Sequence, residues 1–240
     1  GFELYFQPIV RAKDESLYAA EALLRIHDKN GNFISPAEAI PILEESGLII
    51  PVGKWIIQNA FSMCTECRKY YPEFRVSINL SYVQILKSPL MMELKQMIEH
   101  SGISCSGIIV ELTESGYLEG TPAVRSVWND MKQLRIQIAL DDFGTGYSNL
   151  MNISNLEPDI VKLDRGFTLK ALSRSYEYQL MQYVIEMVHK LNQYVCVEGV
   201  ETKEDLEKIK ALGPDLIQGY YYSKPCSRDE FLKKFFGYSE

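Results

Sequence analysis

The sequence lacks the features by which membrane and secreted proteins are recognised. None of its apolar runs approaches the ~20 residues that a transmembrane helix needs, and its first residues do not have the layout of a signal peptide. It is also poor in positive charge: 25 lysine and arginine residues face 32 aspartate and glutamate residues, and the net charge is −7. An acidic chain of this kind does not offer the long basic surface that a nucleic-acid polymer requires. We therefore expect no membrane segment in this chain and no polymeric nucleic acid among its partners.

Cysteine and histidine are scarce, and neither forms a pattern for binding a metal ion. The chain has five cysteines and three histidines. Cys64 and Cys67 form a C-x-x-C pair, but no second pair or suitably spaced histidine accompanies them, so they are predicted to be free, partly buried thiols. His27, His100 and His189 fall in polar stretches and are predicted to lie at the surface. Unpaired cysteines favour a reducing compartment, and we expect a cytoplasmic domain, with any membrane anchor elsewhere in a full-length protein.

No linker, low-complexity tract or block of charge divides the 240 residues, which indicates one domain spanning residues 1–240. The chain opens directly on a strand-like segment, as expected of a domain excised from a longer protein. Short β-like segments then alternate with longer amphipathic ones along the whole length. The segments with the composition of strands are residues 3–10, 17–26, 75–81, 107–115, 136–142, 159–164, 194–201 and 216–222.

About eight strands with intervening helices are typical of a (β/α)₈ barrel, which usually has about 250 residues. An open, doubly wound parallel sheet is the alternative, because alternation alone does not decide whether the sheet closes. Open sheets that bind dinucleotides have a glycine-rich turn after the first strand, and none follows residues 3–10. Polar residues at many different strand ends also favour the barrel, because its site collects residues from the whole rim.

The helical segments carry their own start signals. Ser35 followed by Glu38 predicts a helix N-terminus closed by a capping box. A second helix is predicted to start at Thr202, which is followed by Asp205 three residues on, and to stop at Gly213. Residues 175–192 have apolar side chains at three- and four-residue spacing, which predicts a helix packed on a sheet.

Polar side chains, most of them acidic, interrupt or end one apolar strand segment after another. In a parallel barrel the carboxyl ends of the strands meet at one rim, so these side chains are predicted to point into one volume. Carboxylates crowded together raise one another's pKa values and destabilise the fold unless cations lie between them. Lys162 and Arg25 supply too little positive charge for that purpose. The members of this polar set are Glu21, Asn79, Glu111, Glu114, Asp141, Asp142, Lys162, Glu198 and Glu201.

Divalent metal ions would make such a cluster stable. Asp141 and Asp142 are the clearest sign, because two neighbouring carboxylates repel each other unless they share a cation. We expect a binuclear site whose ligands are Glu21, Asn79, Glu111, Asp141, Asp142 and Glu198. Ligands that are all oxygen select Mg²⁺ or Mn²⁺ over Zn²⁺, and two such ions can clamp the attacking and leaving oxygens of a phosphodiester displacement. Ca²⁺ is expected to inhibit, because its longer bonds would misplace the attacking water.

Seven short motifs follow one another along the chain: EALLR (21–25), NLS (79–81), ELTES (111–115), DDFGTGYSNL (141–150), KLD (162–164), EGVET (198–202) and QGYYYSKP (218–225). Taken together and in this order, they resemble the signature of EAL domains, which are bacterial phosphodiesterases that linearise cyclic di-GMP. The likeness covers essentially the whole chain, although each motif alone would be weak. It implies a modified (β/α)₈ TIM-type barrel, dependence on Mg²⁺ or Mn²⁺, and hydrolysis of one phosphodiester of cyclic di-GMP to give linear pGpG.

The resemblance also implies roles for single residues. In the family, one ion is held at the positions of Glu21, Asn79, Glu111 and Asp141, and the second at those of Asp141, Asp142 and Glu198. Lys162 would contact the hydrolytic water or the phosphate, and Glu198 would act as the base. Glu114 would steady the loop after Asp142, and Glu201 completes the catalytic set. The positions that contact the nucleotide are those of Gln7, Leu23, Arg25, Ser81, Asp164, Gln218 and Gly219.

Family members commonly dimerise through the helix that follows the DDFGTG loop, here residues 148–156. We therefore expect a homodimer formed by this helix. Gly144 and Gly146 would give the loop the freedom to carry the effect of partner binding to Asp141 and Asp142.

Two other functions stay open. A domain of the same fold can bind cyclic di-GMP as a receptor without hydrolysing it, although such receptors typically lose members of the acidic set that this chain keeps. An unrelated metal-dependent barrel acting on another phosphate ester or an enol is the second possibility, and it predicts no preference for a guanine dinucleotide.

Overall fold

The computed structural model of the protein describes residues 1–113, 121–145 and 156–237. Strands and helices alternate along these residues, as the sequence predicts. The strands are β1 (Phe2–Arg11), β2 (Leu17–His27), β3 (Phe33–Ile34), β4 (Arg75–Asn79), β5 (Ile108–Thr113), β6 (Gln137–Phe143), β7 (Ile160–Leu163), β8 (Tyr194–Glu198) and β9 (Leu216–Gln218). Each of the eight predicted segments overlaps one strand, and among the strands of the described residues only the two-residue β3 was not predicted.

The sheet closes into a barrel. Its strands are hydrogen-bonded in the order β1-β9-β8-β7-β6-β5-β4-β2, and pairing of β1 with β2 joins the two ends. The predicted barrel is therefore confirmed, and the open doubly wound sheet is wrong. The barrel is modified at β1, which runs antiparallel to both β2 and β9, whereas the remaining barrel strands pair in parallel. This reversal places Gln7 of β1 directly opposite Glu21 of β2.

Helices pack around the barrel. They are α1 (Pro36–Glu45), α2 (Ile49–Arg68), α3 (Tyr82–Lys87), α4 (Leu90–Ser101), α5 (Pro122–Gln133), α6 (Arg165–Ser173), α7 (Ser175–Lys190), α8 (Lys203–Ala211) and α9 (Arg228–Phe236). The helix start predicted at Thr202 is confirmed, and the structure adds a capping box between Thr202 and Asp205; the helix predicted within residues 175–192 is also confirmed. The capping box at Ser35 is wrong: Ser35 is the N-cap, but its side chain makes no capping bond, and the Glu38 amide donates to the Ser35 carbonyl instead.

The interior of the barrel is filled below its carboxyl-end rim. Tyr18, at the start of β2, donates its hydroxyl to Oε1 of Gln137 at 3.1 Å. The guanidinium carbons of Arg75 and Arg11 lie 4.4 and 5.0 Å from the Tyr18 ring centroid. We call Tyr18, Gln137, Arg75 and Arg11 the floor of the barrel. Seven buried side chains that cluster with Tyr18 fill the space between the floor and the rim, and we call them the inner core: Ile9, Ala19, Ile109, Ala139, Ile160, Cys196 and Leu216.

The cysteines and histidines have structural roles. All five cysteines are free, as predicted, and Cys64 and Cys67 are fully buried. Burial raises the pKa of the Cys64 thiol to about 11, so this pair has little thiolate for reaction. His100 and His189 are exposed as predicted, whereas His27 is half-buried.

No helix in the described part of the chain is long and apolar enough to span a bilayer.

Candidate active site at the carboxyl-end rim

A buried lysine lies at the centre of the rim. Lys162 of β7 is 2% exposed, and its Nζ lies 2.6 Å from Oε2 of Glu111 and 2.7 Å from Oε1 of Glu198. The same nitrogen lies 3.3 Å from Oδ1 of Asp141 and 3.4 Å from Oε2 of Glu21. One ammonium group therefore faces four carboxylates. We call these five residues the rim cluster.

The strand register brings the cluster together. In the parallel pairs, Asn79 lies beside Glu111 and Glu198 lies beside Gln218. Because side chains alternate between the two faces of a strand, each of these residues is directed inward while its chain neighbours face the outer helices. The predicted convergence of acidic side chains from separate strands is thus present in the structure.

Glu21 is held by amide groups as well as by Lys162. Its Oε1 accepts a hydrogen bond from Nδ2 of Asn79 at 2.8 Å, and its Oε2 accepts one from Nε2 of Gln218 at 2.7 Å. Nε2 of Gln218 also donates to Oε1 of Gln7 at 3.2 Å. Burial acts to raise the pKa of Glu21, but the charge of Lys162 and the amide donors together hold it below its usual value. Of these two glutamines, both predicted to contact the nucleotide, Gln218 thus favours the ionised form of Glu21 directly, whereas Gln7 contacts Gln218 and not Glu21.

The other carboxylates of the rim cluster are destabilised in their charged form. Burial, together with the negative charge of Glu21, raises the pKa of Glu111 well above its usual value, although Lys162 opposes this. Burial also raises the pKa of Glu198 to about 8, again against the effect of Lys162 and with a contribution from Asp141. The four carboxylates in turn raise the pKa of Lys162 despite its burial. The site therefore holds more negative charge than its one lysine neutralises.

The backbone is distorted where the two adjacent aspartates lie. Pairing between β6 and β7 is irregular between Leu140 and Phe143, and Asp142 has a positive φ of 61°. Burial and the neighbouring Asp141 raise the pKa of Asp142 to about 6. Bulges often re-aim side chains beside active sites, and a left-handed non-glycine residue is a strained conformation of the kind found there. The Asp141–Asp142 pair therefore lowers the stability of the folded protein.

These residues fit a divalent cation by their chemistry. The six predicted ligands all offer oxygen atoms, and the buried Oδ1 of Asp141 has no hydrogen-bond partner among the described residues, although it forms an ion pair with Lys162. The arrangement, however, is closed around Lys162. Within the described ranges, no three His, Cys, Asp or Glu side chains are grouped so as to hold an ion. Binding of a cation would therefore require the contacts between the carboxylates and the Lys162 ammonium group to break.

Arg25 lies outside the rim cluster. It is on the same face of β2 as Glu21 and Leu23, as the spacing predicts. Its guanidinium group lies 5.3 Å from the ring centroid of Tyr5, and its Nη1 donates to the carbonyl of Leu24 at 3.1 Å. Arg25 is half-buried.

Two predicted nucleotide contacts are helix caps. Asp164 caps α6, and its Oδ1 accepts a hydrogen bond from the Gly166 amide at 2.7 Å. Ser81 caps α3 with a full capping box, and its hydroxyl donates to Oε1 of Glu44 at 2.6 Å. The sequence reasoning did not anticipate these roles.

Two further predicted residues stand at the edge of the site. A Cβ atom on Gly219 would lie 2.0 Å from the Val200 carbonyl oxygen, so only glycine permits this close backbone approach. Glu201 does not reach Lys162. It accepts hydrogen bonds from Nε and Nη2 of Arg165 at 3.1 and 2.7 Å, beside a cavity of about 140 Å³ that Glu198 and Tyr220 also line.

Ser77 is a residue of the site that sequence reasoning missed. Its hydroxyl donates to Oε1 of Glu111 at 2.5 Å, and its side chain is fully buried. The available signal was its place two residues before Asn79, which makes it a second inward-facing polar residue in a buried strand. Three other predictions lie outside the described residues: the role of Glu114, the freedom of Gly146, and the dimer helix at residues 148–156, of which only Leu156, a buried residue, is described.

The chain as a whole resembles known proteins. A family model described as "EAL domain" matches residues 1–225. The chain belongs to the EAL domain family. The curated relatives of this EAL domain include "Cyclic di-GMP phosphodiesterase PdeF" of Escherichia coli (strain K12), which is 31% identical over 93% of this chain and 30% of PdeF. An uncharacterized protein of Sinorhizobium fredii, y4lL, is 34% identical over 96% of this chain and 27% of y4lL. This EAL domain thus spans only about a third of the length of such relatives.

Solved structures of EAL domains superpose closely on the barrel. The EAL enzyme Bd1971 in its form with cAMP and cyclic di-GMP bound is 32% identical, with a TM-score of 0.91, over 98% of this chain and 64% of that one. The MucR phosphodiesterase of Pseudomonas aeruginosa in complex with c-di-GMP is 27% identical, with a TM-score of 0.89, over 96% of this chain and 94% of that one. The family and the fold predicted from the motifs are both confirmed.

Proposed function

We propose that this EAL domain is a phosphodiesterase that hydrolyses cyclic di-GMP to linear pGpG with the aid of Mg²⁺ or Mn²⁺. The observation that carries the proposal is the convergence of four carboxylates on Lys162 in the rim cluster. The names of PdeF and MucR, and the cyclic di-GMP bound in the Bd1971 structure, support the substrate.

The residues proposed to hold the cations are Glu21, Asn79, Glu111, Asp141, Asp142 and Glu198. When bound, two divalent ions supply Lewis acidity at the phosphate and lower the pKa of the attacking water. Glu198 would take the proton of the attacking water as the water oxygen bonds to phosphorus, while one phosphodiester bond breaks and the leaving ribose oxygen takes up a proton from water. Lys162 would then exchange its carboxylate partners for the phosphate oxygens, and Arg25 would bind the phosphate from the outer part of the rim.

Gln218 and Asn79 donate to Glu21 and, with Lys162, hold its pKa below the usual value, which favours the ionised form that a metal ligand needs; Gln7 accepts a hydrogen bond from Gln218. The Oε1 atom of Gln218 is buried and has no hydrogen-bond partner among the described residues, so it remains available as an acceptor. We propose that Gln7 and Gln218, with Leu23, Ser81, Asp164 and Gly219, contact the nucleotide. Glu201 would contribute through its contact with Arg165 beside Glu198, and Glu114 by steadying the loop after Asp142.

The closed arrangement around Lys162 favours a second candidate, a receptor that binds cyclic di-GMP without cutting it. Incubation with cyclic di-GMP and Mg²⁺ or Mn²⁺, followed by chromatography, separates the two. The phosphodiesterase produces pGpG and stops when a chelator is added, and Ca²⁺ does not replace Mg²⁺. A receptor binds the dinucleotide in calorimetry but yields no product. A panel of other phosphate esters tests the third possibility, because an unrelated barrel would show no preference for the guanine dinucleotide.

The setting of the domain rests on family resemblance. We propose that residues 1–240 form one catalytic domain of a longer, cytoplasmic or membrane-anchored regulatory protein, and that two copies associate through residues 148–156. Sedimentation of the isolated domain at several concentrations tests the homodimer.

A further inference from the structure

The deepest polar contact of the rim involves a residue outside the acidic set. Ser77 lies in β4, and its hydroxyl donates to Oε1 of Glu111 at 2.5 Å. We propose that Ser77 is a positioning residue that orients Glu111 for binding of a divalent cation. This inference rests on the proposed function, because it assigns Glu111 to the metal site.

The two oxygens of Glu111 have different partners. Oε1 accepts from Ser77, and Oε2 accepts from Nζ of Lys162 at 2.6 Å. Rotation about the last torsion of a glutamate side chain is otherwise broad and poorly restricted. Two partners on separate oxygens remove that freedom, so the plane of the Glu111 carboxylate is fixed.

Ser77 makes its contact from inside the barrel. In the register of β4 and β5, Ser77 is beside Ile109 and Asn79 is beside Glu111, so Ser77 lies one inward layer below the carboxylate that it contacts. It is fully buried and Glu111 is 1% exposed. A donor at this depth leaves the solvent side of the rim open, and it does not compete with an incoming cation for that side.

The importance of Ser77 increases when Lys162 moves. Cation binding requires Lys162 and the carboxylates to separate, and when Lys162 moves away Glu111 loses its Oε2 partner. The Ser77 hydroxyl is the contact that would remain to hold the carboxylate in place. Groups that hydrogen-bond to metal-ligating side chains typically change metal affinity by about 10- to 100-fold when they are removed.

The test measures Mn²⁺ binding directly, by calorimetry without substrate, in the wild type and Ser77→Ala. Ser77→Ala is expected to weaken Mn²⁺ binding by about 10- to 100-fold. The Mn²⁺ concentration for half-maximal hydrolysis should rise by the same factor, while the KM for cyclic di-GMP at saturating Mn²⁺ stays unchanged. Ile78→Val is the matched control, since it removes one methyl group from the next residue of β4 on the outer face. It should lower the unfolding temperature without changing Mn²⁺ affinity.

A second pair of variants keeps the test valid if Ser77→Ala folds poorly. In Ser77→Thr and Ser77→Val the new side chains have nearly the same shape, but only threonine keeps a hydroxyl group that can donate to Glu111. The proposal predicts tighter Mn²⁺ binding by Ser77→Thr, and equal binding by the two would overturn it. If the wild type binds Mn²⁺ and cleaves the dinucleotide while Ser77→Ala binds Mn²⁺ equally well, the positioning role alone is wrong. If the wild type binds no Mn²⁺, the proposed function and this inference are both wrong.

Discussion

The two ends of the barrel treat buried polar groups in opposite ways. At the floor, the Tyr18 hydroxyl has a neutral partner in Gln137, and its ring is covered by the guanidinium groups of Arg75 and Arg11. At the rim, Lys162 faces four carboxylates and cannot neutralise them all. The floor therefore gives the Tyr18 hydroxyl a neutral partner, although the buried Nε of Arg75 has no hydrogen-bond partner among the described residues. The rim, in contrast, is left with an excess of negative charge.

This difference separates stability from function. Residues at the amino-end face of such barrels generally serve stability, and those at the carboxyl-end face generally serve chemistry. A rim built only for stability would not gather carboxylates whose pKa values are raised by burial, because each such group destabilises the folded protein as it ionises. Substitutions at the two ends should accordingly have effects of different kinds.

The largest effect is expected at Glu198. Glu198→Gln keeps the shape of the side chain but removes its basicity, and kcat should fall by about 10²- to 10⁴-fold. The KM for cyclic di-GMP should change far less. Steady-state kinetics with Mn²⁺ measure both, and Glu157→Gln, which alters an exposed acid paired with Lys132, is the control. Near wild-type kcat would make Glu198 a structural acid, and loss of all substrate binding would make it mainly a metal ligand.

Removal of the central cation should be the next largest effect. Lys162→Met leaves the carboxylates of the rim cluster without their counter-charge, and we expect the free energy of unfolding of the metal-free protein to fall by about 3–5 kcal/mol. Urea denaturation measures it. Lys54→Met is the matched control, because Lys54 forms an exposed ion pair with Glu93 at 2.7 Å, and such pairs contribute about 0–1 kcal/mol. Equal losses in the two variants would contradict the central role of Lys162.

A smaller effect is expected when pH is varied. The pKa of Glu198 is raised by burial from its usual 4.5 to about 8, so its favourable contribution is complete below about pH 4.5 and is lost as the pH rises through 8. In metal-free protein, Glu198→Gln should therefore become more stable relative to the wild type between pH 5 and pH 8, by on the order of 1–3 kcal/mol. Mn²⁺ should reduce the wild-type loss. A difference independent of pH would show that Glu198 is already ionised at pH 5.

The smallest effect is expected at the floor. Tyr18→Phe removes the hydroxyl that donates to Gln137 and should lower the free energy of unfolding by about 0.5–1.5 kcal/mol. Both kcat and KM should stay at wild-type values, since the floor lies below the inner core. Reduced kcat in a fully folded Tyr18→Phe protein would contradict the conclusion that the floor serves stability and the rim serves chemistry.

The sequence was sufficient for the fold because strand periodicity and motif order are local properties. Each predicted strand formed, although residues 216–222 are a strand only as far as Gln218, since the chain turns at Gly219 against the Val200 backbone. Such a close approach depends on a distant segment and leaves no local signal. The two-residue β3 was missed for the same reason, because it exists only by pairing with β2.

The sequence indicated which residues belong to the site better than it indicated how those residues are arranged. Acidic residues at strand ends indicated a shared rim, but which of them contact Lys162 depends on strand register and side-chain reach. Glu201 was grouped with the others, yet it pairs with Arg165 at the edge. Ser77 went unnoticed because a single serine in an apolar strand resembles any buried hydroxyl until its partner is known.

The most direct test of this account is the metal dependence of cyclic di-GMP cleavage by the purified domain. Chromatography of the products after incubation with Mn²⁺, and in parallel with excess chelator, measures it. Linear pGpG is the expected product with Mn²⁺, and cyclic di-GMP should remain intact with the chelator. Equal cleavage under both conditions would contradict the claim that the excess negative charge of the rim serves to bind divalent cations.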